Sequence, residues 1–499
     1  MNYTSTRNSS LRAEASFAIA HGISEEGGLF VPTSIPKTDA AFIEGLVNAP
    51  YVERANRILS LYLTDYTHEE LAADTAGAYT ERFGDPAVAP VKRLDDTAHI
   101  LELWHGPTCA FKDMALQLLP YLLTGAASRV SGGKETVILV ATSGDTGKAA
   151  LEGFRDVPGT KILVFFPSDG VSPMQKLQMT TQAGENVGVC AIRGNFDDAQ
   201  TGVKRIFTSP EVIETLARHN MTFSSANSIN WGRLAPQIVY YFSAYADLIK
   251  NGAIRNGEKI NVTVPTGNFG NILAAYYARE MGLPVNRLIC ASNENDVLTE
   301  FLTTGRYNRR RPFHTTVSPS MDILISSNLE RLLWHLTGGD DETVRRLFGD
   351  LAEKGEYTVD GGLLEKLRTL FAAGCTDDAG TAKTIAAVFN EHGYLCDTHT
   401  AVAVNVYNAY REKTGDRTPT VIASTASPYK FSKAVLGAIT GGAAGSDSEF
   451  DMVEELERLT GVPAPEQLKT LRGKAPRFTD VCTGDEMTDR VYRLLGIAD

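Results

Sequence analysis

The chain has 499 residues, 43% of them hydrophobic and 22% charged, and carries a formal net charge of −12. That length exceeds what one core supports and implies two or three domains, while the acidic balance, broken only by the short run RYNRRR at 306–311, argues against nucleic acid and anionic membrane as partners. No run approaches the roughly 18 apolar residues a membrane span needs, and the cysteines, spread singly at 109, 190, 290, 375, 396 and 482, suggest neither a zinc site nor a disulfide framework, but reduced thiols in a cytoplasmic setting.

The N-terminus is polar and gives no secretory signal. Residues 1–95 read as short helical pieces, FIEGLVNA and HEELAADTAGAYTERFG, punctuated by EEGGLFVP. They are expected to form an N-terminal cap domain on an α/β region spanning 96–499. The stretch LWHGPTCAFKDMA (103–115) sets a lysine, Lys112, directly after an apolar run and before the core-like MALQLLPYLL. ETVILVAT (135–142) is a buried-strand run that leads through SGDTG into the helix-like KAALEGFRD; KILVFFP and GVCAI come next as strands. KINVTVP then leads through TGNFGN into ILAAYYAREMG, and RLICASN is the next strand. Alternation of this kind predicts an α/β fold with largely parallel sheets flanked by helices. Residues 320–390 read as a mainly helical insertion. After the strand VIASTA, a last helical stretch and the acidic SDSEFDMVEELERL close the chain.

Three of these segments carry chemistry. An ammonium buried without a partner costs several kcal/mol, roughly, so a lysine placed like Lys112 is neutralised, paired or used. Alone, it could equally pack its stem and snorkel its head to water, or pair with Asp113. TGNFGN lies between a strand and a helix. Gly267 and Gly270 let successive N–H groups converge on an anion at the helix N-terminus, which makes a phosphate cradle; the dinucleotide pattern GxGxxG is absent. SGDTG fails the Walker spacing, since Gly144 and Gly147 enclose two residues and Ala149 follows Lys148. Its hydroxyls (Thr142, Ser143, Thr146) and N–H groups suit a small anion such as a carboxylate. Each loop alone could be only a tight strand-to-helix turn. Together, a lysine in an apolar setting, a phosphate cup and a carboxylate loop are the parts that pyridoxal 5′-phosphate needs to work on an amino acid.

HGPTCAFKDMA (105–115), VATSGDTGKAA (140–150), SSANSINWGRLAPQ (224–237), VPTGNFGN (264–271) and STASPYKFS (424–432), with YTSTRN and GGLFVP near the start, strongly resemble the threonine synthase family in its longer bacterial and fungal branch. The resemblance runs in order from about residue 3 to beyond 430. It implies a fold-type II pyridoxal-phosphate enzyme, similar to the tryptophan synthase beta chain in fold, that converts O-phospho-L-homoserine and water to L-threonine and phosphate. Carried over motif by motif, Lys112 would hold the cofactor as a Schiff base and shuttle protons at Cα and Cβ. Gly267, Asn268, Phe269, Gly270 and Asn271 would bind the cofactor phosphate, and Thr425 would face the pyridine nitrogen. Thr142, Ser143, Gly144, Asp145 and Thr146 would hold the substrate carboxylate, and Arg233, ahead of Lys148 and Lys176, the substrate phosphate. His105 would hydrogen-bond near the cofactor or pin its own loop. No metal is implied, and the expected assembly is a monomer or homodimer. The chain departs from the family in two places: it reads Ser427-Pro428-Tyr429-Lys430-Phe431 where His-Pro-Ala-Lys-Phe is frequent, and Asp145 stands where related fold-type II enzymes often carry Asn.

Overall fold

Aliphatic and β-branched runs form strands where the sequence places them. In the computed structural model, which describes residues 1–497 apart from 143, 170, 443–445 and 447, ETVILVA becomes the strand Glu135–Ala141, INVTVP the strand Ile260–Pro265 and TVIAS the strand Thr420–Ser424. Two sheets result. One has the spatial order Val481–Cys482, Val187–Ile192, Thr160–Pro167, Glu135–Ala141, Met221–Ser224 and is parallel throughout. The other runs Phe371–Cys375, Val285–Ser292, Ile260–Pro265, Thr420–Ser424, Ala98–Glu102, Val91–Arg93, and only its last pair is antiparallel. Every residue of Val187–Ile192, Ile260–Pro265 and Thr420–Ser424 is buried, as expected when helices cover both faces of a parallel sheet.

Three segments differ from the sequence-based expectation. Residues 1–95 contain, beside their helices, a three-stranded antiparallel sheet of Asn8–Ala13, Tyr3–Ser5 and Phe30–Pro32; two of these strands are only three residues long, too short for a period to register. Residues 320–390 are mainly helical but also supply two strands. Phe371–Cys375 enters the six-stranded sheet beside Val285–Ser292, and Glu356–Thr358 pairs with Arg306–Asn308. The sequence of the former, FAAGC, is rich in small residues and carries little strand signal. At the far end, Val481–Cys482 adds a strand to the five-stranded sheet, and the acidic helix Glu449–Thr460 packs on the helices Ser432–Thr440 and Pro173–Thr180.

Loops at the strand ends set the site. HGPTCAFK, SGDTG, TGNFGN and TASPYKF each leave the carboxyl end of a parallel strand, where ligands of open α/β sheets bind. The helix Asp145–Phe154 presses on the short helix Asp113–Leu116 at Gly153, where a Cβ would collide with the Leu116 carbonyl oxygen. That close approach brings the SGDTG loop against Lys112.

Candidate active site

Lys112 is held by stitching between two loops. Leu103 N–H donates to the Ser424 carbonyl (2.9 Å), Phe111 N–H to Thr425 (2.8 Å), and Ser427 N–H to Cys109 (3.0 Å). The backbone next to Lys112 is thereby fixed beside Thr425, which is 5% exposed. Cys109 completes the turn at φ 59°, a left-handed conformation unusual for a residue with a side chain. Phe269 in the glycine cup does the same at φ 62°. Each such residue costs about 1–3 kcal/mol, which the surrounding packing must offset.

The Lys112 side chain is 13% exposed, and its Nζ lies 3.7 Å from Asp145 Oδ2 and donates to Ser320 Oγ at 3.2 Å. Burial pulls its pKa down; Asp145 opposes this, while Lys430 and Arg233 add to it. The amine is therefore more readily neutral, and so nucleophilic, than that of a surface lysine. Asp145 also takes Lys430 Nζ at 2.7 Å and Gln175 Nε2 at 3.0 Å. Burial alone would raise the Asp145 pKa, but Lys430, and then Lys112, outweigh it and hold the carboxyl below the usual range. Lys430 donates in addition to the Thr108 carbonyl, at 2.9 Å.

Two expected carboxylate ligands have other tasks. Thr142 Oγ1 accepts from the N–H groups of Gly144 and Gly147, both at 3.0 Å, and donates to Gly144 O, so the hydroxyl shapes its loop and has no capacity left for a substrate. The Asp145 side chain is turned to two lysines, and a carboxylate would repel a substrate carboxylate, whereas the N–H groups of this helix start suit an anion. Gly144 is pressed against Gln175, Thr146 is half-buried, and Ser143 lies outside the described residues.

The glycine cup begins the helix Gly270–Met281. The Asn268 carbonyl accepts from Asn328 N (3.1 Å) and Nδ2 (3.0 Å), and Ser326 Oγ donates to the Gly267 carbonyl at 2.7 Å. A Cβ on Gly267 would stand 2.5 Å from the Ser320 carbonyl oxygen. Asn271 Oδ1 accepts from Tyr240 OH (2.8 Å) and from Tyr241 OH, while its buried Nδ2 has no protein partner among the described residues.

Arg233 stands at the start of the helix Trp231–Lys250, capped by Asn230, whose Oδ1 accepts from Gly232 N–H at 2.8 Å. Trp231 anchors that end edge-on against Tyr3, Tyr62 and Tyr277, each with ring centroids 5.4 Å away. Arg233 is 4% exposed, donates from Nη1 to the Ala226 carbonyl at 2.6 Å, and leaves Nε without a partner. No carboxylate lies within salt-bridge distance among the described residues, and burial draws its pKa down to about 10. The other phosphate candidates differ. Lys148 is paired with Glu152 at 3.1 Å, and Lys176 is exposed. His105 bonds Glu102 at 2.8 Å and stacks on Trp104, which pins its turn.

Ser320, Lys430, Gln175 and His399 belong to the site although the sequence did not single them out. For Lys430 a signal existed: it stands between Tyr429 and Phe431, the same apolar setting that drew attention to Lys112.

Three family descriptions match the chain: "Threonine synthase N terminus" over residues 2–79, "Pyridoxal-phosphate dependent enzyme" over 89–361 and "Threonine synthase, C-terminal" over 400–487. The human protein "Threonine synthase-like 1" is 42% identical over 85% of this chain, which spans only 57% of that relative's length. "Threonine synthase" of Pseudomonas aeruginosa is 39% identical over 93% of this chain and 96% of its own. Among solved structures, PLP-bound threonine synthase from Brucella melitensis superposes with a TM-score of 0.88 at 37% identity, covering 99% of each chain.

Proposed function

Since the chain belongs to the threonine synthase family of pyridoxal-phosphate-dependent enzymes, we propose that it converts O-phospho-L-homoserine and water to L-threonine and phosphate. The residues present fit the cofactor. Gly267 lets the Ser320 carbonyl close over the cup where a side chain would collide with it, Asn271 Nδ2 is a buried donor with no protein partner among the described residues, and a lysine of lowered pKa lies near both loops. Lys112 would take the cofactor aldehyde, the N–H groups from Gly267 to Asn271 its phosphate, and Thr425 its pyridine nitrogen. Bound pyridoxal phosphate supplies an electron sink that makes the Cα and then the Cβ protons of an amino acid removable.

The chain's own residues do the rest. Lys112 Nζ, its basicity lowered by burial, takes and returns those protons. The N–H groups at the start of the helix Asp145–Phe154 hold the substrate carboxylate, with Asp145 facing away toward Lys430. The observation that carries a phosphorylated substrate is Arg233: a buried guanidinium with an idle Nε, no acid partner among the described residues and a field felt by Lys112. Such a group is stable once a dianion arrives, and its planar fork can hold two phosphate oxygens.

The test is an absorbance spectrum of the purified protein with added pyridoxal phosphate, before and after O-phospho-L-homoserine, with phosphate and threonine assayed together. A band near ~410–420 nm, as expected of the lysine-bound cofactor, that shifts as both products appear supports the reading. A band that shifts with L-serine or L-threonine but yields no phosphate from phosphohomoserine moves the activity to a dehydratase.

A further inference from the structure

Behind Ser320 lies a buried pair that the proposed reaction has not yet used. Asp397, fully buried, caps the helix Thr398–Thr414 by accepting from the N–H groups of His399 (3.0 Å) and Thr400 (3.1 Å). Capping needs only those bonds and the Thr400 hydroxyl. Asp397 Oδ2 nevertheless also takes His399 Nδ1, at 2.7 Å. On the other side of the ring, His399 Nε2 receives the backbone N–H of Ser320 at 3.1 Å.

Both partners specify one tautomer. A carboxylate can only accept here, so Nδ1 carries the proton; a backbone N–H can only donate, so Nε2 must offer its lone pair. The ring is further clamped by Phe431, edge-on at 4.9 Å. The far end of the Ser320 loop is fixed independently: Asp322 accepts from Asn293 Nδ2 (2.8 Å), Asn295 Nδ2 (3.0 Å) and the Thr316 N–H (3.0 Å). Between these anchors Ser320 does two things. Its hydroxyl accepts from Lys112 Nζ at 3.2 Å, and its carbonyl closes over Gly267 of the phosphate cup.

We propose that Asp397 and His399 are positioning residues for Lys112 that act through Ser320. Fixed in one tautomer, the imidazole sets where the Ser320 backbone lies, and that position sets both the direction of the Lys112 amine and the depth of the cup. Lys112 is otherwise faced by Asp145, Lys430 and Arg233, with the Phe111 ring 5.8 Å from Nζ. Those charges set its basicity, but among the described residues only Ser320 offers it a neutral acceptor of fixed direction. The catalytic consequence rests on the proposed function; the positioning itself does not, and the two can be tested apart.

The experiment labels the full-length protein, stripped of cofactor, with acetic anhydride across a pH series and measures acetylation of Lys112 by mass spectrometry, with exposed Lys176 as internal reference. A hydrogen bond to the charged form favours that form, so Ser320→Ala should lower the Lys112 midpoint by roughly half to one pH unit. His399→Leu should lower it equally, the double variant no further, and Ser320→Thr should restore the wild-type midpoint. Asp397→Asn is an isosteric second route. With its nitrogen in the Oδ2 place it keeps the oxygen that caps Thr400 N–H, gives up the one that caps His399 N–H, and offers Nδ1 a donor, so the proton moves to Nε2 and confronts the Ser320 N–H; its midpoint should move with His399→Leu, and it replaces that variant in the cycle if the leucine protein does not fold. In the loaded enzyme the same variants should lower kcat about tenfold while KM stays within about twofold. A wild-type labelling profile in Ser320→Ala or in the His399 and Asp397 variants overturns the proposal, and so does a double variant whose shift is the sum of the two. Absence of phosphohomoserine turnover in the wild type would overturn the proposed function and leave the labelling result to decide the positioning.

Discussion

Replacing Asp145 by asparagine takes the one negative charge from a spot that holds two ammonium groups. Lys430, with a side chain 1% exposed, would keep the Thr108 carbonyl at 2.9 Å and one amide oxygen, but no anion. Removing one partner of a buried ion pair costs roughly 3–5 kcal/mol, because the other charge stays buried. An amide that still accepts one hydrogen bond puts Asp145→Asn near the lower end, about 3 kcal/mol. Lys430→Met, which removes the stranded charge, should recover much of that loss in the double variant. Urea unfolding of the wild type, both single variants and the double measures the coupling. The pH dependence has a definite sign. The folded carboxyl titrates below its unfolded value of about 4, so its contribution is complete above that value and is lost as pH falls toward the lower folded one. The difference between wild type and Asp145→Asn should therefore be level between about pH 5 and 7 and shrink below about pH 4. A loss under about 0.5 kcal/mol at pH 7, within the range of ordinary surface changes, or a difference that widens in acid, would refute the ion-pair reasoning.

Arg233→Ala should raise KM for phosphohomoserine by about tenfold to a hundredfold, as expected for a lost charge-assisted bond, while the cofactor spectrum stays unchanged; unaltered kinetic constants would remove Arg233 from the substrate site. Gly153→Ala pushes a methyl into the Leu116 carbonyl, where backbone rather than a flexible side chain must yield. It should cost about 1–3 kcal/mol in urea unfolding and weaken cofactor binding, because the helix that presents Lys112 is displaced. Asp113 is buried, and burial raises its pKa to about 6 despite two bonds from Thr108. Its folded form thus binds a proton more tightly than the unfolded chain, so its stabilisation is present below about pH 4 and is lost as pH rises through about 6. Asp113→Asn should abolish that pH-dependent component and cost under about 1 kcal/mol at pH 7, since the new amide can donate to Gln117 Oε1, now without a partner; a slope between pH 4 and 6 identical to that of the wild type would assign the titration elsewhere.

The sheets were legible because their strands are buried on both faces and read as apolar runs, as in VILV and ILVFF. Phe371–Cys375 escaped because alanine, glycine and cysteine carry no strand preference, and Tyr3–Ser5 and Phe30–Pro32 because three residues contain no period. In the site, residues whose loops leave a strand directly were readable: Lys112, the Gly267–Asn271 cup, Arg233 beside its Asn230 cap. Ser320 and His399 were not. Ser320 lies 208 positions from Lys112, and His399 a further 79 from Ser320, and neither sits in a pattern with local meaning. Thr142 and Asp145 were expected at the substrate carboxylate, and the bonds they make inside the protein were not legible. Sequence order marks a hydroxyl and a carboxylate in an anion-binding loop, but not the turn of backbone that fills the one or the pair of lysines that claims the other.

The same pair of lysines accounts for the acid at position 145. Lys112 and Lys430 both reach it, within 3.7 Å and 2.7 Å, and Arg233 adds a third positive charge felt by Lys112. With asparagine there, three buried cations would share no counter-charge until ligands bound, and burial would strip protons from the lysines or open the loop. With aspartate, one charge is neutralised permanently through Lys430, and the same carboxylate opposes the loss of basicity that burial imposes on Lys112. The remaining positive excess, carried by Lys112 and by Arg233 with its idle Nε, is what two successive phosphate-bearing ligands would neutralise. Aspartate at 145 is thus a consequence of crowding, and in the proposed reaction it would leave the substrate carboxylate to backbone N–H groups, which bring no further charge into the site.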